Sequence, residues 1–135
     1  MLQLHAITRM ATVVGLSVLA LNATSRAELI DVKWNTEGKF DHTQSIAPGK
    51  FLEICENLAK GSTVMWQFKA SGPLNFNVHF HQGTEVAFPE KQDGVSDLRG
   101  TLVAQSKEDY CWMWTNKGEA PSSISVLLAK ASVQR

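Results

Sequence analysis

The chain places its apolar side chains at every second position. In the stretch Asn75 to Gly83 (NFNVHFHQG), Phe76, Val78 and Phe80 fall on one parity, and Asn75, Asn77, His79 and His81 on the other. Successive side chains of a strand point to opposite faces, so this is the pattern of a half-buried strand. The same period returns in short segments. Ile30, Val32 and Trp34 alternate early on, and Lys50 to Glu56 (KFLEICE) is a strand candidate. In Thr63 to Lys69, Val64, Trp66 and Phe68 share a face. Thr84 to Phe88, Gly100 to Gln105, Tyr110 to Thr115 and Ser122 to Ala129 follow. Turn chemistry separates them at Pro48-Gly49, Gly61-Ser62, Gly72-Pro73, Gln82-Gly83 and Asn116-Lys117-Gly118. Glu37 to Ala47 is polar and reads as a loop, Glu90 to Gly94 as a charged loop, and Asp97 to Arg99 as a single helical turn. No segment carries a helical period. About eight short strands at regular spacing predict an all-β fold, an antiparallel β-sandwich.

The first residues read as an address. Met10 to Leu21 is an apolar run of signal-peptide length, short of the roughly 20 residues that span a bilayer. Ser25-Arg26-Ala27 offers small residues at the positions a signal peptidase reads. Residues 1–27 are therefore expected to be a signal peptide and 28–135 one domain, secreted or periplasmic, with no membrane span after cleavage. Loss of Arg9 and Arg26 leaves 11 basic against 13 acidic side chains, a net charge of −2. The lysines are scattered. That excludes the basic patch of a nucleic-acid binder or a membrane-surface binder.

Two cysteines, Cys55 and Cys111, make up the whole complement. In an exported chain a lone pair reads first as a disulfide. The closed loop of about 57 residues would be worth roughly 4 kcal/mol. A redox pair and a thiolate metal site are the other readings, and no C-x-x-C spacing supports them.

The order of segments resembles the GOLD (Golgi dynamics) domain, the lumenal β-sandwich of early-secretory-pathway cargo receptors. FLEICENL, Phe51 to Leu58, is similar to the stretch around the first cysteine of that family, and GTLVAQ to a later strand. Tyr110-Cys111-Trp112-Met113-Trp114-Thr115-Asn116 is similar to the stretch around the second, with the tyrosine adjacent to the cysteine rather than spaced from it. The likeness covers roughly Lys50 to Lys130 and implies a sandwich with one disulfide and a binding role. Only Ala131 to Arg135 follow, so the coiled coil, transmembrane helix and sorting tail of those receptors have no counterpart in this sequence.

Two constellations bear on function. His79 and His81 stand on one face of a strand, about 7 Å apart at Cα, so their imidazoles can converge on one ion. Two imidazoles are half a site, and Met113, His42, Met65 and several carboxylates, Glu85 among them, are the candidate further donors, with copper first and zinc second. The plainer reading is the wet face of a strand. Asn75 and Asn77 are poor strand formers on that same face, which marks it as a possible polar ligand face. In CWMW, Cys111 shares a parity with Met113, and Tyr110, Trp112 and Trp114 share the other. A disulfide-facing row is expected to be the core row, which would bury Met113 beside the bridge. The three aromatics are then core if a second sheet covers them and a contact surface if none does. No nucleophile elbow, phosphate loop or paired-carboxylate motif is present. The sequence thus points to a non-enzymatic binding module without a cofactor, for a protein or a small polar ligand. A metal-handling protein using His79 and His81 is the alternative.

Overall fold

A computed structural model describes residues 28–131, and the expected signal peptide lies outside them. Seven strands follow in chain order: β1 (Glu28–Asp31), β2 (Lys39–Ile46), β3 (Phe51–Leu58), β4 (Thr63–Gln82), β5 (Glu85–Val103), β6 (Glu108–Thr115) and β7 (Ser122–Lys130). The all-β expectation holds, with seven strands in one curled sheet where about eight were counted.

β4 organises the rest. Its even-numbered residues Val64, Trp66, Phe68, Leu74, Phe76, Val78 and Phe80 all point inward and are buried. Gly72 and Pro73 interrupt this row, because neither supports a regular ladder. The register with β5 shifts there, between Lys69 and Leu74. β5 pairs along nearly the whole of β4, so β6 and β7 share its other edge end to end. β7 lies beside Val64–Ala70 and β6 beside Asn75–His79. β3 then extends the β6 side and β1 joins β3 in parallel, while β2 extends the β7 side. The sheet curls at the bend, and its two halves close on one core. Phe76 meets Trp66 at 4.8 Å, Phe68 at 5.0 Å and Trp114 at 5.4 Å between ring centroids.

Where the chain crosses from β6 to β7, Asn116 is buried and fully used. Its amide nitrogen donates to the carbonyls of Ile46 and Ala120, both at 2.8 Å, and its side-chain oxygen accepts from Gly118 N at 2.9 Å. At the bend, Ser122 Oγ accepts from Gly72 N and donates to Gly72 O, which ties β4 to the start of β7.

Three sequence expectations need correction. Residues 39–46 form β2 and not a loop: Phe40, His42, Gln44 and Ile46 take the inward positions, and two of them are polar, which hides the alternation. Glu90–Gly94 and Asp97–Arg99 lie within β5, which pairs only with β4 and so needs little apolar patterning. Third, the aromatic row of β6 faces the core. Tyr110, Trp112 and Trp114 are each at most 1% exposed and offer no contact surface, while Cys111 and Met113 point the other way. A cross-strand disulfide needs only two directly opposed side chains, which either face supplies. The aromatics carry far more apolar area and take the interior. Trp66, Phe68, Phe76, Val78 and Phe80 of β4 are buried together with Leu102 of β5 and Val126 of β7 in one core.

Candidate functional site: the outer face around the bridge

Cys55 on β3 and Cys111 on β6 are register partners and form a disulfide, with Cα atoms 4.1 Å apart. Cys55 O accepts from Val32 N, so the Cys55 backbone turns away from β6. The two cysteines are thus a non-hydrogen-bonded pair, the closer kind, at about 4.5 Å between Cα atoms. This places them slightly inside the usual disulfide span of about 4.4 to 6.8 Å.

His79 on β4 is the register partner of Cys111 on the same outer face. It is only 7% exposed, although its row is the wet one. The bridge lies on one side, and the Phe88 ring on the other at 6.0 Å, with the Lys91 ammonium 5.3 Å from the Phe88 centroid. Both ring nitrogens are engaged. Nε2 lies 3.1 Å from Glu53 Oε1, and Nδ1 lies 2.8 Å from Asn77 Oδ1. Burial pushes the His79 pKa below its ordinary value; the Glu53 carboxylate pulls it partly back and His81 lowers it further. The ring is therefore neutral at pH 7. A neutral imidazole carries one N–H, which donates from Nε2 to Glu53 Oε1 or, in the other tautomer, from Nδ1 to Asn77 Oδ1.

His81 is exposed, its ring edge-on to His79 at 5.5 Å between centroids. Met113 is half-buried on the same face, in register with Glu53 and Asn77. His42 does not join them. It lies on β2, at the far end of the sheet, on the inward parity, and pairs with Gln44 at 2.7 Å. Met65 is exposed at the start of β4, beside β5 and β7. The third donor close to His79 is instead Glu53: donor atoms of Glu53, His79 and Cys111 all lie within 4.8 Å of one another. Glu53 does not stand out among the carboxylates of the sequence. Its signal is position, two residues before Cys55 on the same strand face.

The asparagines have local duties. Asn75 Oδ1 accepts from Gly94 N at 3.1 Å, where Gly94 takes a φ of 70° and β5 kinks. Asn77 holds His79.

A groove of about 580 Å3 runs over the bridge, with both sulfur-bearing residues and His81 in its wall. Its lining carries five carboxylates, Asp31, Glu53, Glu56, Glu108 and Asp109, and no lysine or arginine. Three are fixed by neighbours: Glu53 lies against His79 Nε2 at 3.1 Å, Glu56 accepts from Trp34 Nε1 at 2.9 Å, and Asp109 from Asn57 Nδ2 at 2.7 Å. A second groove, of about 710 Å3, lies on the β2–β7 side. There Asp41 and Asp97 are balanced by Lys69 and Arg99, so its lining has no net charge. Among the described residues no serine or threonine hydroxyl hydrogen-bonds a histidine; the side-chain partners of histidine nitrogens are Gln44, Asn77 and the Glu53 carboxylate.

No protein-family model matches the chain. No curated protein matches it either. Among solved structures it is similar to PliG of Salmonella Typhimurium, a periplasmic lysozyme inhibitor of g-type lysozyme, at 13% identity over 78% of this chain and 100% of that one, TM-score 0.59. PliG of Aeromonas hydrophila aligns at 12% identity over 76% of this chain and 96% of that one, TM-score 0.58. The pre-peptidase C-terminal domain of a Bacillus anthracis collagenase aligns at 10% identity over 76% and 96%, TM-score 0.57. At these identities the likeness is one of fold, over nearly the full length of each neighbour.

Proposed function

We propose that this chain is an exported, non-enzymatic binding domain, and that it takes a protein partner with a basic surface on the outer face of β1, β3 and β6. The observation that carries this reading is the groove over the bridge, with five carboxylates and no lysine or arginine in its lining. Such one-signed clefts focus field and steer a cationic partner to the site. Exposed Leu29 at the groove wall supplies apolar area beside the charge. Two further points support the reading. The Cys55–Cys111 disulfide suits an oxidising compartment outside the cytoplasm. The fold is shared with inhibitors that act on a protein.

The test uses g-type lysozyme and a small panel of basic and acidic proteins as probes, with binding measured by calorimetry at two salt concentrations. Binding should be confined to basic probes and weaken with salt. Charge reversal in the double variant Asp31→Lys, Glu108→Lys should weaken it at least about tenfold, the equivalent of about 1.4 kcal/mol. Absence of binding to every basic probe, or affinity untouched by salt and by the double reversal, overturns the proposal.

A further inference from the structure

We propose that the Cys55–Cys111 bridge masks a zinc site: opened by a dithiol reductant, its two sulfurs join His79 and Glu53 as four donors to one divalent, thiophilic cation. Three of the four donors already converge. Glu53, His79 and Cys111 place donor atoms within 4.8 Å of one another, and the Cys55 sulfur is bonded to that of Cys111. They are held by three neighbouring strands in register, Glu53 and Cys55 on β3, Cys111 on β6 and His79 on β4. Around a tetrahedral zinc, with bonds of about 2.0 to 2.3 Å, donors stand roughly 3.4 to 3.8 Å apart. These three therefore have to contract by at most about 1.4 Å, and the Cys55 sulfur has to swing in beside them, both by side-chain rotation once the bridge is cut.

The remaining chemistry fits the same ion. Asn77 holds its Nδ1 and leaves Nε2 aimed at the cluster, the outer contact that fixes a ligand histidine. In the oxidised protein only His79 and Glu53 can donate, too few for a tight site. Opening the bridge balances as thiol–disulfide exchange. A thiolate of the reductant attacks the Cys55 sulfur, the more accessible of the two. The S–S bond breaks with Cys111 leaving as thiolate, and the reductant's second thiol closes its own disulfide and frees Cys55. Two electrons pass to the protein and the reductant is oxidised. Zinc then displaces the thiol protons, which go to solvent. This site stands independently of the protein-binding reading above.

Purified exported protein, with and without a phosphine reductant that leaves zinc free, is titrated with Co(II) and then Zn(II). Intrinsic tryptophan fluorescence follows the fold throughout. The reduced protein should take one equivalent of Co(II), with thiolate-to-cobalt absorption in the near ultraviolet, and lose the band to one equivalent of Zn(II). The oxidised protein should show no such band. His79→Ala and Glu53→Gln should each loosen zinc by about 10 to 100-fold. Zinc should raise the melting temperature of reduced protein only. Three results overturn the proposal: no charge-transfer band on reduction, zinc affinity unchanged from the parent in both variants, or reduced protein that is unfolded and stays so with zinc.

Discussion

In the first half of β4 the outward side chains Met65, Gln67 and Lys69 all stand in solvent. In the second half Asn75 and Asn77 are half-buried and His79 is nearly covered. The alternation is the same in both halves, and so is the inward row. The difference comes from what stands beside each outward residue. The first half has β7 residues Ser125, Leu127 and Ala129 on one side and the β5 residues Asp97, Arg99 and Thr101 on the other. The second half has the disulfide, Met113 and Glu53 across β6 and β3, and Phe88 folding over from β5. An outward position becomes buried when its neighbours are large or cross-linked, and a titratable group at such a position meets a changed dielectric. A candidate site therefore forms on one half only.

The comparison can be broken most directly at the seam between the halves. Phe76 touches Trp66 and Phe68 from the first half and Trp114 from β6. Phe76→Ala should cost about 3 to 5 kcal/mol in urea unfolding, since it removes contacts on both sides of one core. A loss no larger than that of a surface change would mean the halves do not share a core.

A smaller effect is expected at Gly100, in register with Trp66 across the β4–β5 pair. A Cβ there would overlap the Trp66 indole, 2.9 Å from its Cε2. Gly100→Ala should destabilise by about 1 to 3 kcal/mol through forced displacement of the ring, with altered tryptophan fluorescence as the accompanying readout. Unchanged stability and fluorescence would show that the first half tolerates repacking.

His79 sharpens the comparison through pH. Its folded pKa lies below 6.5. The unfolded chain, titrating near 6.5, takes up the proton first as pH falls. Stability contributed by this residue is therefore whole above about pH 6.5 and declines as pH drops toward the depressed value. Denaturant midpoints measured across that range should show the decline, and His79→Gln should remove that part of it. An unchanged slope in the variant would assign the decline elsewhere.

The smallest effect belongs to the first half. Lys69 and Asp97 pair at 3.9 Å with both side chains largely exposed. Lys69→Ala should stay within about 0.5 kcal/mol of the parent. A larger loss would mean that the outer face of the first half also carries organised interactions.

Much of this was legible in the residues. The even-numbered row of β4 announced its own burial, because period-two alternation of large apolar side chains has one solution in a two-layer β fold. The disulfide was readable from two cysteines in a chain expected to be exported. β2 was not, since His42 and Gln44 occupy its inward positions at a sheet edge, where partial exposure relaxes the need for apolar residues. Gly100 read as the start of a strand, while its role is to make room for an indole from the neighbouring strand.

By itself, then, the sequence determined that the chain is all-β, which row of β4 is core, and that His79 and His81 share a face. Only the tertiary structure decided which side of β6 holds the bridge, that Glu53 and not His42 stands against His79, and that His79 leaves solvent. The reason is physical. Parity is a property of one strand and is written locally, whereas cross-strand neighbours are set by register and by the curl of the sheet. Those depend on strands brought together from residues 28 to 130, and so do burial, pKa and the convergence of donors.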